Sequence, residues 1–332
     1  MLPWFGSNGG TRLFGSERIT VNILVLGGTQ FVSRALATEL IARGHDVSIL
    51  TRGRRSVSYE GIKQHFIADR RDPDSLRQLQ DCRFDAVFDV SGYCPDDVRG
   101  VLGALRLDDR TKYVFLSSGA VYLPSEVPVA EEAPKGKNEN WGAYGLDKFA
   151  AEELLVRSQP ERGYSLSIVR PAYVYGPGNN LYREAYLFDR ILRGQPVPIP
   201  DGCAKTQFVF IADLVATLID LLQIDAGKIE AFNYTNPEPI DWETLARTAA
   251  CAVGVEPCIK KVAYRGRMEA RDFFPFRDCT YLLDTGKAER FGLVPPKTGL
   301  REGLEQSYAW YREQQPKLFD GKMMKIEAAL LL

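Results

Sequence analysis

The sequence predicts an α/β fold, a doubly wound parallel sheet carrying a smaller C-terminal lobe. Three observations predict it. From Val21 to Gly176 short apolar runs alternate with amphipathic stretches. The runs are nearly continuous in Val, Ile, Leu and Phe, as strands covered on both faces must be. After Gly176 the alternation loosens into turn-rich connections, PGNN, GQPVPIPDG and NPEPID.

VNILVL opens the chain's ordered pattern as a buried strand. Phe31 to Arg43 reads as a helix with Val32, Leu36 and Leu40 on one stripe, and Gly44 ends it. DVSIL is the second strand and the segment ending FIAD the third. FDAVFDV (84–90) and YVFLSS (113–118) follow, separated by the helical DDVRGVLGALR. LSIVRPAYVYG (166–176) is a strand running into a loop. These elements place one domain over 21–176 and a lobe over 177–332, with about 207–235 returning to the main domain because FVFIADLVATLIDLL is apolar enough to rejoin it. Residues 1–20, rich in Gly, Ser and Asn, read as a flexible extension, and the closing KIEAALLL as a packed C-terminal helix or a dimer contact.

Composition excludes several classes. The formal net charge is −1 over 332 residues, so no basic surplus draws the chain to nucleic acid or an anionic membrane. No apolar stretch approaches the ~20 residues of a membrane span. Six scattered cysteines without a CxxC pair suit reduced thiols in the cytoplasm. The two histidines, His45 and His65, lie in no spacing typical of a metal site, so no metal is expected.

GGTQFVSR (27–34), between the first strand and the first helix, has the place of a dinucleotide turn. Such a Rossmann-like turn uses one glycine for the bend, one for backbone approach to the pyrophosphate and one for helix–strand packing. Gly27 fills the first role with Gly28 beside it; Thr29 follows, Gln30 stands in the second role, and Ser33 in the third ahead of the helix begun by Phe31. Serine is small enough to pack. Gln30 leaves two readings open: its amide swings aside and donates to the cofactor, or the site is degenerate. The second strand ends in Thr51 and Arg52 with no acidic residue for a ribose 2′-OH, which admits NAD and leans toward NADP. Asp69, with Arg70 beside it, is placed to reach an adenine edge, and Ser91 and Gly92 close the fourth strand against the same cofactor.

Tyr144 and Lys148 lie four residues apart in AYGLDKFAAEELL, one helical turn, so their side chains share a face. A tyrosine acting as base near neutrality needs its pKa lowered by about 3 units, roughly 4 kcal/mol, and a nearby ammonium works in that direction. Ser118, at a strand end, would hydrogen-bond the same substrate oxygen. The chemistry is proton transfer at an alcohol oxygen coupled to hydride transfer at its carbon.

The order of these motifs, glycine turn, Asp69, strand-end SS, YxxxK and RPAYVYGPGNN, resembles the extended short-chain dehydrogenase/reductases, the NAD-dependent epimerase/dehydratases, from about Val21 to Tyr311. QFVFIADL, YLLDTGKAERFGLVPP and GLEQSYAWY carry the resemblance further. It implies a catalytic set of Ser118, Tyr144 and Lys148, with Arg170–Pro171 beside the nicotinamide. The GGT-x-F form resembles an atypical branch that includes bacterial epimerase-like proteins and plastid RNA-binding relatives. Two departures stand out. Ser118 is followed by Gly119 and Ala120, so the acidic pair of a sugar dehydratase is missing. Phe274 stands where the resemblance sets a phosphate-binding arginine, leaving Arg271 or Arg277 to substitute.

The expected function is therefore an NAD(P)-dependent epimerase or reductase acting on a small sugar-like molecule or sugar nucleotide. Tyr93, Asn179, Asn180, Arg183, Gln207 and Arg277 are the expected polar contacts to substrate. The alternative is a non-catalytic Rossmann-fold binding protein, RNA-binding or regulatory, which the incomplete glycine turn favours and the charge balance opposes. The resemblance also implies a homodimer paired through helices.

Overall fold

The computed structural model describes residues 20–331. The extension expected over 1–20 lies, apart from Thr20, outside them.

Seven parallel strands form the central sheet. They are β1 (Asn22–Leu26), β2 (Asp46–Thr51), β3 (Gln64–Ile67), β4 (Ala86–Asp89), β5 (Lys112–Leu116), β6 (Ser165–Pro171) and β10 (Ile229–Tyr234). Their order is β10-β6-β5-β4-β1-β2-β3, so the direction of winding reverses between β1 and β4. In such sheets ligands bind outside the carboxyl ends of the strands at the reversal. Leu26 pairs with Leu50 on one side and Asp89 on the other, so β1, β2 and β4 end together there.

The central strands are mostly apolar because alternate residues feed opposite layers, whereas β3 (QHFI), at one edge of the sheet, fully buries only Phe66. Ile23 and Val25 join the core that also holds Val32, Leu36 and Leu40 of α1 (Phe31–Ala42) and Leu214 and Leu218 of α5 (Ile211–Asp220). Leu24 and Leu26 join the core of Val98 and Val101 from α2 (Pro95–Ala104) and Ala151 and Leu155 from α3 (Ala143–Arg162). Each such side chain contributes roughly 1.5–3 kcal/mol by burial, so one register is fixed on both faces at once.

The sixth strand differs from the sequence reading. The expected single run over 166–176 is two strands, because β7 (Tyr173–Tyr175) leaves the sheet after Pro171 and pairs with β9 (Phe208–Phe210). Proline has no N–H to continue a ladder. Beyond it lie α4 (Glu184–Leu192), β8 (Val197–Pro200), α6 (Trp242–Val253), β11 (Ile259–Val262), α7 (Gly286–Arg290) and α8 (Leu300–Gln314). β8 and β11 pair as a separate parallel ladder, and α6 packs between α4 and α8. The closing apolar segment forms α9 (Ile326–Ala329), packed inward with Ala329 fully buried and Lys260 donating to the Leu330 carbonyl.

Candidate active site

The glycine turn ends β1. Gly27 and Gly28 have φ of +116° and +117°, a region in which L side chains are strained. A Cβ on Gly27 would lie 2.8 Å from the Ser33 Cβ, so glycine and serine together bring α1 onto the strand. Ser33 Oγ donates to the Gln30 carbonyl (2.8 Å). Gln30 is the extended residue before the helix, and its side chain makes no capping bond. The β2–β3 connection returns to the turn, where Tyr59 donates to the Gly28 carbonyl (2.7 Å), a contact no motif announces. Thr29 and Phe31 stand half-buried on either side of Gln30, Phe31 with a φ of +39°.

Below the turn lies a charged floor. Asp89, wholly buried at the end of β4, receives a two-pronged contact from Arg70 at 3.0 and 2.5 Å and a hydrogen bond from Tyr113. The Gly92 N–H also donates to Asp89 (2.9 Å), and the Gly92 carbonyl accepts from Lys148 Nζ (2.6 Å). Lys148 donates again to the Leu116 carbonyl (2.7 Å) and lies 5.2 Å from the centre of the Tyr93 ring. Burial pulls Lys148 down to about 8, with Asp89 opposing.

Several expected cofactor contacts are thereby spent within the protein. Arg70 holds Asp89, Ser91 and the Asp97 carbonyl, so its guanidinium is a structural tie rather than a free adenine-side group. Ser91 donates to the Leu26 carbonyl, and the Thr51 hydroxyl is shared with His65 and the Gly53 N–H. Asp69 remains exposed with one oxygen engaged, by the Arg71 N–H, and Arg52 is exposed with no partner among the described residues.

Ser118 and Tyr144 meet on the other side of the floor. Ser118 follows β5, and its Oγ accepts from the Ala120 N–H (3.2 Å) and lies 3.4 Å from the Tyr281 hydroxyl. Tyr144 stands in the first turn of α3. The next residue, Gly145, fits against the Ala120 carbonyl, where any Cβ would collide, and this draws Tyr144 onto the Ser118 segment. Burial of the phenol end raises Tyr144; the Ser118 hydroxyl and the Arg183 guanidinium pull the other way. The shared helix face of Tyr144 and Lys148 thus does not aim the ammonium at the phenol. Lys148 turns to two carbonyls at the carboxyl ends of β4 and β5, and the cation felt by Tyr144 is Arg183.

An aromatic wall continues from Ser118. Tyr281 donates to the Pro171 carbonyl (3.1 Å), and its ring centre lies 4.7 Å from Trp141 and 5.5 Å from Tyr173. Arg183 lies over Tyr173 at 4.9 Å and Arg277 over Trp141 at 5.2 Å. Tyr93, 57% exposed, faces Tyr144 across 6.3 Å. Two expected substrate contacts are not available. Gln207 is buried and stitches Leu283 and Pro237 main chain, using both ends of its amide. Asn179 is buried and braces its own loop against Glu184 and the Leu181 N–H, whereas Asn180 is exposed. Phe274 is fully buried, and Arg271 is ion-paired with Asp320.

A model of the NAD dependent epimerase/dehydratase family matches residues 23–234. The chain belongs to that family. Among its relatives, the chloroplast stem-loop binding protein of 41 kDa b of Arabidopsis thaliana is 29% identical over 320 residues, covering 89% of this chain and 80% of that protein. The UDP-glucose 4-epimerase of Thermotoga maritima, solved with UDP-glucose, superposes with a TM-score of 0.73 at 22% identity, over 89% of this chain and all (100%) of that one. The Thermus thermophilus UDP-glucose 4-epimerase, solved with NAD, gives 0.71 at 20% identity over 87% and 98%. The Rossmann-like fold and the extended short-chain dehydrogenase/reductase type follow from these matches.

The residues present fit the nicotinamide dinucleotide of this family. Two left-handed glycines leave the backbone of the turn bare of Cβ atoms, the first turn of α1 carries no acidic side chain, and the Gln30 amide has no hydrogen bond among the described residues. Anions are favoured at such a helix start. Among the described residues no group of three or more His, Cys, Asp and Glu side chains is arranged to hold a metal, and no helix is long and apolar enough to cross a membrane. Sequence reasoning missed Asp89, Trp141, Tyr173 and Tyr281. Asp89 was readable as a carboxylate inside an apolar strand; the three aromatics carry no spacing signal, since they converge from separate loops and strands.

Proposed function

We propose that this chain is an NAD(P)-dependent epimerase or reductase acting on a sugar or sugar nucleotide, with Tyr144 as its acid/base. The observation that carries the reading is the convergence of Ser118, Tyr144 and the Lys148 floor at the carboxyl ends of β4 and β5 beneath the glycine turn. A bound nicotinamide would supply the hydride donor or acceptor and, when oxidised, a positive charge. Tyr144 exchanges a proton with the substrate hydroxyl, and Ser118 Oγ hydrogen-bonds the same oxygen. The phenol is raised in the protein alone, so it is an acid until further positive charge enters the cleft. Lys148 holds its charge on the cleft floor. Gly119 and Ala120 offer no carboxyl for elimination, which argues against dehydration. Arg52 at the open end of β2 supports a preference for NADP.

RNA binding, the alternative the sequence left open, is the weaker reading here. The net charge is −1, whereas phosphate-driven affinity needs a basic surplus. A homodimer is the proposed assembly, read out by sedimentation. The functional test is Tyr144→Phe, assayed with UDP-glucose and related nucleotide sugars. Turnover should fall by roughly 100-fold or more with NADH affinity nearly intact. Loss of both would mean that Tyr144 is only structural.

A further inference from the structure

Two side chains hold the turn that ends β1, and both act on its carbonyls. Ser33 Oγ donates to the Gln30 carbonyl, and the Tyr59 hydroxyl donates to the Gly28 carbonyl at 2.7 Å. Ser33 reaches its acceptor from three residues along the chain, whereas Tyr59 comes from 31 residues away. The connection between β2 and β3 delivers it. Val57, Tyr59 and Ile62 pack onto the core that contains α1, and a Cβ on Gly61 would lie 2.5 Å from Ile41 Cγ2, so the connection runs directly over that helix. Burial pushes the Tyr59 phenol up to about 12 against the opposing Arg34 guanidinium, which keeps it a proton donor near neutral pH.

The two ties sort the backbone of the turn. A trans peptide sets its C=O and N–H on opposite sides. With the Gly28 carbonyl drawn to Tyr59, the Thr29 N–H faces away from the β2–β3 connection. The N–H groups of Thr29 and Gln30 have no hydrogen-bond partner among the described residues. The turn would not keep this shape unaided. Phe31, the first residue of α1, has a φ of +39°, a region that favours glycine. Such a conformation persists only where its surroundings over-determine it. Gly28 is confined as well, since a Cβ there would come within 2.9 Å of Ile49 Cγ2 and 3.1 Å of the Tyr59 oxygen.

We propose that Tyr59 is a positioning residue for the dinucleotide: its hydroxyl holds the Gly28–Thr29 peptide so that the Thr29 N–H is presented to the pyrophosphate. This rests on the reading of the turn as a nicotinamide dinucleotide site. A turn with three glycines meets the phosphates with its backbone alone. Here Gln30 and Ser33 occupy two of those places, and the missing definition comes from outside the motif. Tyr59 acts on the turn and not on the 2′ position of the ribose, so NADH and NADPH are affected alike.

The test is calorimetric titration with NADH, NADPH and ADP-ribose, which keeps the pyrophosphate and lacks the nicotinamide. The proteins are the wild type, Tyr59→Phe and Ile62→Ala, each also unfolded in urea. Tyr59→Phe should weaken all three ligands by roughly 3- to 10-fold, the size of one net hydrogen bond, and leave the ratio of NADH to NADPH affinity unchanged. Ile62→Ala loosens the same connection and spares the hydroxyl, so it should lower the urea midpoint while binding all three ligands as the wild type does. Wild-type affinity in Tyr59→Phe overturns the inference. An equal loss in Ile62→Ala also overturns it, because Tyr59 would then act only through packing. A changed NADH to NADPH ratio in Tyr59→Phe overturns it too, by moving the hydroxyl to the 2′ end of the ligand. If the folded wild type binds none of the three ligands, the proposed function fails and this inference fails with it.

Discussion

Lys148 offers a prediction that needs no knowledge of the substrate. The ammonium is 4% exposed and donates to the Gly92 and Leu116 carbonyls, yet burial brings it from the ordinary 10.5 to about 8. That gap corresponds to about 3 kcal/mol of preference for the neutral amine in the native state. The sign follows from proton counting. Below about pH 8 both native and unfolded states carry the ammonium, so the cost of burying it is felt in full. Between about 8 and 10.5 the unfolded chain still holds the proton while the native protein has released it, so stability rises with pH across that window. Lys148→Met removes the titration. Urea unfolding of wild type and variant at pH 7 and pH 10 should show the wild type gaining about 2–3 kcal/mol relative to the variant. The two carbonyls left without the ammonium offset the variant equally at both pH values and cancel. Parallel pH profiles would refute the reasoning, as would a wild-type disadvantage that grows with pH.

Three further outcomes are expected. Gly145→Ala forces α3 away from the Ala120 carbonyl; urea unfolding should show a loss of about 1–3 kcal/mol, and turnover should fall by roughly 100-fold as Tyr144 moves from Ser118. Glu152→Ala leaves the Arg170 guanidinium buried without its carboxylate, and denaturant titration should register about 3–5 kcal/mol of destabilisation; a change under about 1 kcal/mol would mean the pair is not desolvated. Arg52→Asp should raise the ratio of NAD to NADP affinity by roughly tenfold, measured by titration with both reduced cofactors; an unchanged ratio removes the argument for NADP.

The sheet was readable because both of its faces are buried. β1 and β5 announce themselves as nearly unbroken apolar runs, and the glycines at 27 and 28 mark where β1 must turn. Ser33 in the packing role was likewise legible, since only a small side chain fits against Gly27. Side-chain commitments were not. Arg70 and Gln207 have the residue types and positions of ligand contacts, but their hydrogen bonds go to groups far away in sequence, Asp89 and Leu283. The YxxxK spacing fixed a common helix face for Tyr144 and Lys148, and the carbonyls of Gly92 and Leu116 then decided where the ammonium points. Spacing along one helix carries no information about acceptors that other strands present. The aromatic wall is the same case, with Trp141, Tyr173 and Tyr281 arriving from three parts of the chain.

The proposed function requires a nicotinamide dinucleotide under the glycine turn, beside Ser118 and Tyr144. Titration with NADH tests it directly, followed by quenching of tryptophan emission, because Trp141 belongs to the wall that Tyr281 joins to Ser118. Saturable quenching by NADH or NADPH is expected, retained in Tyr144→Phe and lost when Gly27 is replaced by Val. No saturable signal with either nucleotide, or quenching that Gly27→Val leaves untouched, would contradict it.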